Sequence, residues 1–474
     1  MSDFDRQVYL LDPHSLGPET IAVTFAKTSR SPQSFREIAA ELTEEKSAQF
    51  HEKWVVGYGH ASVAEHAVLH VAMENISRLA VETLESNRLA SYTEKSTRYQ
   101  TWSRQAFFTP PELDREPRLK EEYQRTCQML FSEYEGSLDP VRKVVAERCP
   151  CREGESQTAW DRRIRSEYVD VCRFYLPASS LANVGMTANA RVVEHAIRKM
   201  LSSPLQEVRE LGEAVKQVCR QEAPTLVKYA DHNDYIDLTG QDLTQEAQNL
   251  KGGEGDWCCL AAWDEEGEAR ALAAALYRFG GMPFNKALAH VKGLDSARYA
   301  ALVDKTLGRL GSHDFPLREL EYAPYIFDVV MDQGAYFEIK RHRMMTQTAQ
   351  PLTADLGYAV PLRMRAAGIE AGYRNAMEQA AVCYRRLAEF NPAVASYVVP
   401  NGYNRRMLLG MNLREAFHFC RIRSAENAHF SARRVALRIA EEIRRCHPAI
   451  GARLPVQGEE TWQDIEVRNF IQTR

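Results

Sequence analysis

The chain lacks any run of about 18 or more consecutive apolar residues, so no transmembrane helix is expected from it. It also lacks a strong charge of either sign. Charged residues make up 26% of it and the net charge is −4, which argues against a nucleic-acid binder or a membrane-surface protein. Basic side chains must therefore act locally, in sites. Metal-ligand spacing is missing too. Of ten cysteines, only Cys149-Pro150-Cys151 and Cys258-Cys259 lie close together, and neither forms a C-x-x-C knuckle. No metal is expected, and the thiols are read as reduced. The first residues, Met1-Ser2-Asp3-Phe4-Asp5-Arg6, are polar and acidic and do not read as a secretory signal. These absences together predict a cytoplasmic protein, and 474 residues suffice for two or three domains.

What the chain does have is a cluster, Lys340-Arg341-His342-Arg343-Met344-Met345-Thr346, and a damaged copy of it at Ser86-Asn87-Arg88-Leu89-Ala90-Ser91. Two guanidiniums flanking an imidazole suit a planar anionic ligand, since Arg offers charge and a rigid donor fork and His a stackable, proton-exchanging ring. The surroundings repeat as well. A turn around Gly57-Tyr58-Gly59-His60-Ala61-Ser62 precedes an alternating stretch with Leu69, Val71 and Met73 on one side, which predicts a half-buried strand. Ser77 is placed to cap the helix that follows. In the second half, the turn holds His313, and Tyr325, Phe327, Val329 and Met331 alternate in the same way. Glu65-His66 finds no counterpart in Arg318-Glu319.

Further on, Asn189-Ala190-Arg191 through His195 to Arg198 matches Asn412-Leu413-Arg414 through His418 to Arg421. Each match is expected to continue as one long amphipathic helix, stopped near Pro224 or Pro448. A first strand is predicted at 8–12 and a helix over 34–49. The first half carries an extra charged stretch, placed at 142–165, and the Gly-, Gln- and Asp-rich segment 238–256 reads as a linker. Two copies at this period are a tandem duplication rather than a solenoid, with domains at 1–237 and 257–474.

These motifs resemble the flavin-dependent thymidylate synthases. The first half matches that family at His60-x-Ser62-x-x-Glu65-His66, at Arg88 through Ser91, Glu94-Lys95-Ser96-Thr97-Arg98-Tyr99, Arg173 through Pro177, and Asn189-x-Arg191. The second half matches at His313, Arg341-His342-Arg343, Asn412-x-Arg414 and Arg421-x-Arg423. The resemblance implies an α+β (α/β) class, each domain a mostly antiparallel sheet packed with helices. It further implies a homotetrameric plan that a fused pair would complete as a homodimer, with no nucleic-acid or membrane partner. The implied reaction is methylation of dUMP to dTMP, with methylenetetrahydrofolate as carbon source and NADPH reducing a bound FAD.

The departures from the family pattern are complementary. The first half has Ser86 and Asn87 for the leading Arg-His and Met200 for the distal arginine, yet it keeps Glu94, Ser96, Arg98 and Arg173. The second half keeps Arg341, His342, Arg343 and Arg423, but has Pro351 and Thr353 for the Ser-x-Arg pair and Ser396 for the other arginine. Random decay would not sort losses by role, so a single composite site built from both halves is expected. By the resemblance, Arg98, Arg173, Ser96, Thr97, Glu94 and Lys95 would bind substrate with Glu338, and Arg341 and Arg423 would polarise the pyrimidine. His60, Ser62, Glu65, Asn189, Arg191, His195, His313, Arg341, His342, Arg343, Asn412, Arg414 and His418 would hold the flavin. Glu338 stands for a usual glutamine and Thr97 for a glycine. Two alternatives follow from these changes: a different pyrimidine acceptor, or a non-catalytic flavin- or nucleotide-binding homologue.

Overall fold

The computed structural model describes residues 7, 9–57, 60–98, 102, 106–250 and 255–471. The chain forms two compact units. The first comprises Met1–Lys95, Phe108–Arg115 and Ser179–Lys251, and the second Ser96–Phe107, Glu116–Ala178 and Gly252–Arg474. The expected boundaries at 1–237 and 257–474 describe the repeat; the compact units divide otherwise, because two segments of the first half belong to the second unit.

In the first unit, β1 (Val68–Ser77), β2 (Ala90–Glu94) and β3 (Leu181–Asn189) form an antiparallel sheet in the order β1-β3-β2. Leu69, Val71 and Met73 are buried, as their alternation requires. Ser77 accepts from the Ala80 N–H at 2.9 Å and starts helix Arg78–Glu85. Helix Ala190–Leu201 follows β3 directly.

In the second unit, β4 (Cys258–Trp263), β5 (Pro324–Asp332), β6 (Thr346–Ala349) and β7 (Asn404–Asn412) form an antiparallel sheet in the order β4-β5-β7-β6. The repeat is visible in the register: Val68 faces Asn189 in one sheet and Pro324 faces Asn412 in the other. Tyr325, Phe327, Val329 and Met331 point into the core of this unit.

The second unit also shows how its own copies of one segment meet. Pro177 and Pro400 stand at equivalent places in the repeat, just after the short helices Arg173–Tyr175 and Ser396–Val398, and form an antiparallel bridge with each other. Asn401 Nδ2 donates to the Arg173 carbonyl at 3.0 Å and the Gly402 N–H to the Phe174 carbonyl at 3.0 Å. Like residues pairing with like is the signature of a local two-fold axis. The extra stretch lies in two helices. Pro117–Arg148 and Gln157–Cys172, of 32 and 16 residues, are longer than their respective counterparts Glu370–Phe390 and Pro392–Ala395, of 21 and 4, which precede the equivalent short helix in the second half.

Several local expectations need correction. Residues 9–12 form no strand, and Val8 lies outside the described residues. The stretch 34–49 holds two helices, Phe35–Glu41 and Glu44–Phe50, because Thr43 caps a second start by accepting from the Lys46 N–H. Each long C-terminal helix is two. Ala190–Leu201 stops before Pro204, which lacks the N–H that a continuing turn needs, and Gln206–Cys219 begins after it. Leu413–Arg423 and Phe430–Cys446 are likewise separate. Much of the expected linker is helical, within Asp234–Ala247. All ten cysteines are free thiols. Among the described residues, no helix is long and apolar enough to cross a membrane.

Candidate functional site

The site begins with a seven-residue helix, Gln333–Ile339, whose every residue is buried. Asp332 starts it, accepting from the Ala335 N–H at 2.8 Å. Its last turn delivers Glu338, and the chain then turns tightly, with the His342 N–H bonded to the Ile339 carbonyl at 3.0 Å. That turn sends His342 inward and leaves Arg341 exposed. Helix Leu413–Arg423 approaches from β7, capped by Asn412, and presents Glu415 in its first turn and Arg423 in its last.

These side chains form a relay. Arg423 Nε donates to His342 Nε2 at 2.8 Å, which makes Nε2 the acceptor and assigns the ring proton to Nδ1. Nδ1 in turn faces Glu415 Oε1 at 3.2 Å. Burial, reinforced by the Arg423 charge, pushes the His342 pKa down to about 3, so the ring is neutral at physiological pH. Arg423 Nη1 meets Glu338 Oε2 in an ion pair. His342 is thus occupied by protein contacts and orients Arg423, while Arg341 and Arg343 are more exposed than His342.

The Ser-x-Arg loop of the first half lies in this same unit. Asp170, on helix Gln157–Cys172, holds Arg98 in a fork, Nε at 3.0 Å and Nη2 at 2.8 Å, and also meets Arg173 Nε at 3.5 Å. Arg98 Nη1 donates to the Asn427 carbonyl at 3.0 Å. Arg173 reaches the Thr97 hydroxyl at 3.0 Å and the Gly334 carbonyl at 3.4 Å. Ser96 Oγ accepts from the Arg98 N–H at 3.2 Å, which shapes the loop. Burial raises the Glu338 carboxyl, but Arg173, Arg423, Arg98 and Arg341 together outweigh it and hold the pKa below its ordinary value. All four guanidiniums therefore act electrostatically on Glu338, and Arg423 touches it. Against them stand two carboxylates, Asp170 and Glu338, leaving an excess of two positive charges, which matches a phosphate monoester.

Glu94 and Lys95 are not part of this cluster. Both belong to the first unit, where Glu94 forms a buried ion pair with Arg78 at 3.1 Å at the end of β2 and the Lys95 N–H bonds the Asn183 carbonyl. Tyr99 lies outside the described residues.

Of the residues expected to hold a flavin, six line two cavities of the first unit. One, of ≈ 520 Å³, is bordered by Glu65, Arg88, Asn189, Arg191, His195 and Lys199. The other, of ≈ 400 Å³, is bordered by His60, Ser62, Trp54, Arg30 and again Glu65. In the second unit, His418 lies edge-on to His342 with ring centroids 5.5 Å apart, and Arg421 ties down the loop carrying exposed His313 by donating to the Ser312 and Asp314 carbonyls.

Recurrence in both copies has a structural cause at two positions. Asn189 and Asn412 are helix caps, accepting from the Val192 and Glu415 N–H groups at 3.0 and 2.9 Å. Arg191 pairs with Glu65, and Arg414 pairs with Glu321 at 3.0 Å. Glu65 therefore does have a counterpart, at Glu321 rather than Glu319, and both glutamates stand at the same distance before the start of β1 or β5.

Sequence reasoning missed Asp170, Glu415 and Lys199. Asp170 was legible only as the acidic residue one helical turn before Arg173. Lys199 borders the larger cavity, where burial lowers its pKa to about 8 and its amine bonds the Ser86 hydroxyl at 2.5 Å. Together with Arg88, this ammonium gives the first-unit cavities cationic character beside the aromatic wall of Trp54. That donor set suits an isoalloxazine and its phosphates.

The chain matches the family model described as thymidylate synthase complementing protein over residues 10–225 and again over 260–449. It is 30% identical over 430 residues to a UPF0159 protein of Chlamydia muridarum, covering 86% of this chain and 81% of that relative. A UPF0159 protein of Thermoplasma acidophilum is 25% identical over 448 residues, covering 86% and 89%. A flavin-dependent thymidylate synthase of Clostridium tetani is 27% identical over 228 residues, covering 47% of this chain and 86% of that relative, about one copy of the repeat.

Proposed function

The chain belongs to the thymidylate synthase complementing protein family, and from that premise we propose that it is a flavin-dependent enzyme converting dUMP to dTMP at one composite site. In the balanced reaction, methylenetetrahydrofolate gives its one-carbon unit to C5 and NADPH supplies two electrons. Both C–N bonds to the one-carbon unit break and the two folate nitrogens take protons. The C5 proton leaves, one proton is taken up net, and tetrahydrofolate, NADP⁺ and dTMP are released. What supports this reading is that Arg98 and Arg173 from the first half and Arg341 and Arg423 from the second all act on the charge of Glu338, which Arg423 touches.

Arg98, Arg173 and the Ser96 hydroxyl bind the phosphate. Arg341 and Arg423 draw electron density from the pyrimidine ring as C5 attacks, a contribution of about 3–4 kcal/mol per well-placed donor. His342, neutral and anchored at both nitrogens, fixes the plane of the Arg423 guanidinium. A flavin, when bound, supplies the hydride that completes the methyl group. Arg343 and His418, both in the second unit, would hold it. No covalent protein nucleophile is assigned.

The reading is tested by tritium release from C5-labelled dUMP with methylenetetrahydrofolate and NADPH present. Release that follows enzyme concentration supports it, and a flavin-loaded protein that releases nothing removes it. Glu338 favours one second reading. An ionised carboxylate only accepts hydrogen bonds, so beside the 4-position of the ring it accepts from a cytosine amine and repels the uracil 4-carbonyl. Release from labelled dCMP exceeding that from dUMP identifies this case.

A further inference from the structure

The second unit has a cleft of ≈ 770 Å³ that shares Arg98, Asp170 and Asn427 with the site described above and extends beyond it. Six arginines border it: Arg98, Arg148, Arg163, Arg363, Arg433 and Arg468. Two of them, Arg148 and Arg163, lie in the stretch 142–165 that the second half lacks. Four acidic residues share the lining, Glu167, Asp170, Glu426 and Glu460, so the cleft keeps a surplus of positive charge.

The distribution of that surplus is informative. Arg163 is paired with Glu155 at 2.8 Å, Arg433 and Arg468 share Glu460, and Arg98 is forked onto Asp170. Arg148 is exposed and has no ion pair among the described residues. Arg363 reaches Glu167 only at 3.6 Å and Asn469 at 3.0 Å, and its buried Nε–H has no acceptor among the described residues. A buried guanidinium N–H without an acceptor is costly unless a ligand provides one. The floor is apolar, with Phe430, Leu362 and Ile465. Arg98 is the wall common to this cleft and to the four-guanidinium cluster.

We propose that this cleft binds a multiply charged anion, a molecule carrying two or more phosphate or carboxylate groups, with Arg363 and Arg148 as its principal anchors and Arg98 at its inner end. The apolar floor covers the uncharged part of such a ligand. Binding here does not depend on thymidylate synthesis, because occupancy is read without turnover.

The test is calorimetric titration of the full chain at low ionic strength with two probes, inorganic tripolyphosphate and pentaglutamate. At least one is expected to bind. The exposed, unpaired Arg148 allows a substitution that leaves the fold alone, and Arg148→Gln is expected to weaken binding about tenfold, the loss of one charge-assisted contact. Arg162→Gln, an equal change in net charge at an exposed residue outside the cleft, is expected to change nothing. Tripolyphosphate alone binding in this Arg148-dependent way assigns the cleft to a phosphate chain, and pentaglutamate alone to an oligocarboxylate tail. Binding of neither probe overturns the proposal. So does binding that ignores Arg148, or that Arg162→Gln weakens equally.

Discussion

Glu338→Gln puts the composite site to a test in which two measurements must move in opposite directions. The substitution is nearly isosteric and removes one of the two carboxylates facing Arg98, Arg173, Arg341 and Arg423. The local charge excess then rises from two to three. At an effective dielectric of about 20 and a separation of roughly 10 Å, one added charge is worth about 1.7 kcal/mol per unit of ligand charge. The dUMP dianion is therefore expected to bind at least about tenfold tighter. Stability must fall at the same time. Removing one partner of a buried ion pair costs about 3–5 kcal/mol, and glutamine keeps an oxygen for Arg423, so a loss of about 2 kcal/mol is expected. The pH sign agrees. Glu338 has a depressed carboxyl pKa, so its stabilisation is present above the ordinary value of 4.5 and lost as pH falls through the folded value. Calorimetry with dUMP and urea unfolding measure the two effects. A folded Glu338→Gln protein that binds dUMP no tighter than the parent refutes the placement of the phosphate among these arginines.

Arg98→Ala and Arg341→Ala are each expected to lower tritium release about 10²–10³-fold. Because both residues contribute to one unit of one chain, a mixture of the two variant chains is expected to stay inactive, and recovery on mixing would place the site between chains. His342, neutral down to about pH 3 in the fold, ordinarily titrates at 6.5, so the unfolded chain binds the extra proton first. Stability is expected to fall as pH drops below 6.5, by up to about 1.4 kcal/mol per pH unit from this residue, and His342→Gln should flatten that slope in acid unfolding curves.

The repeat was legible because it is carried by residue types with few substitutes. Alternating apolar positions imposed β1 and β5, and Asn189 and Asn412 start equivalent helices because a short side-chain oxygen satisfies an otherwise unbonded N–H. Complementary motif loss pointed to four arginines whose charges all act on Glu338. What could not be read was partnership. Nothing in the local pattern says that Asp170 holds Arg98, since that contact joins residues 72 apart in the sequence. Nor does the Arg-His-Arg triplet reveal that its imidazole points inward to serve Arg423 rather than a ligand. The break at Pro204 was legible and was overridden by the longer amphipathic pattern on either side. The division into compact units was hidden for the same reason as the ion pairs, because it depends on which long-range surfaces meet.

The vacated positions show that the asymmetry is now built into the fold. In the first half Asn87, standing where His342 stands in the second, donates back to the Leu84 carbonyl at 2.8 Å and closes its own helix. In the second half Ser396, standing where Arg173 stands in the first, donates to the Leu352 carbonyl at 2.8 Å, inside the loop that lost its Ser-x-Arg pair. Met200, in the place of Arg423, is fully buried, and a Cβ placed on Gly212 would lie 2.8 Å from the Met200 Cβ. These three vacated positions thus have a packing or capping duty of their own. Restoring the lost chemistry is therefore expected to damage the protein rather than create a second site. Met200→Arg would bury a guanidinium with no carboxylate equivalent to Glu338, at a cost of about 3 kcal/mol or more. Urea unfolding of Met200→Arg measures this. A variant as stable as the parent would show that the first half still holds room and counter-charge for a distal arginine, and that its loss was not consolidated by packing.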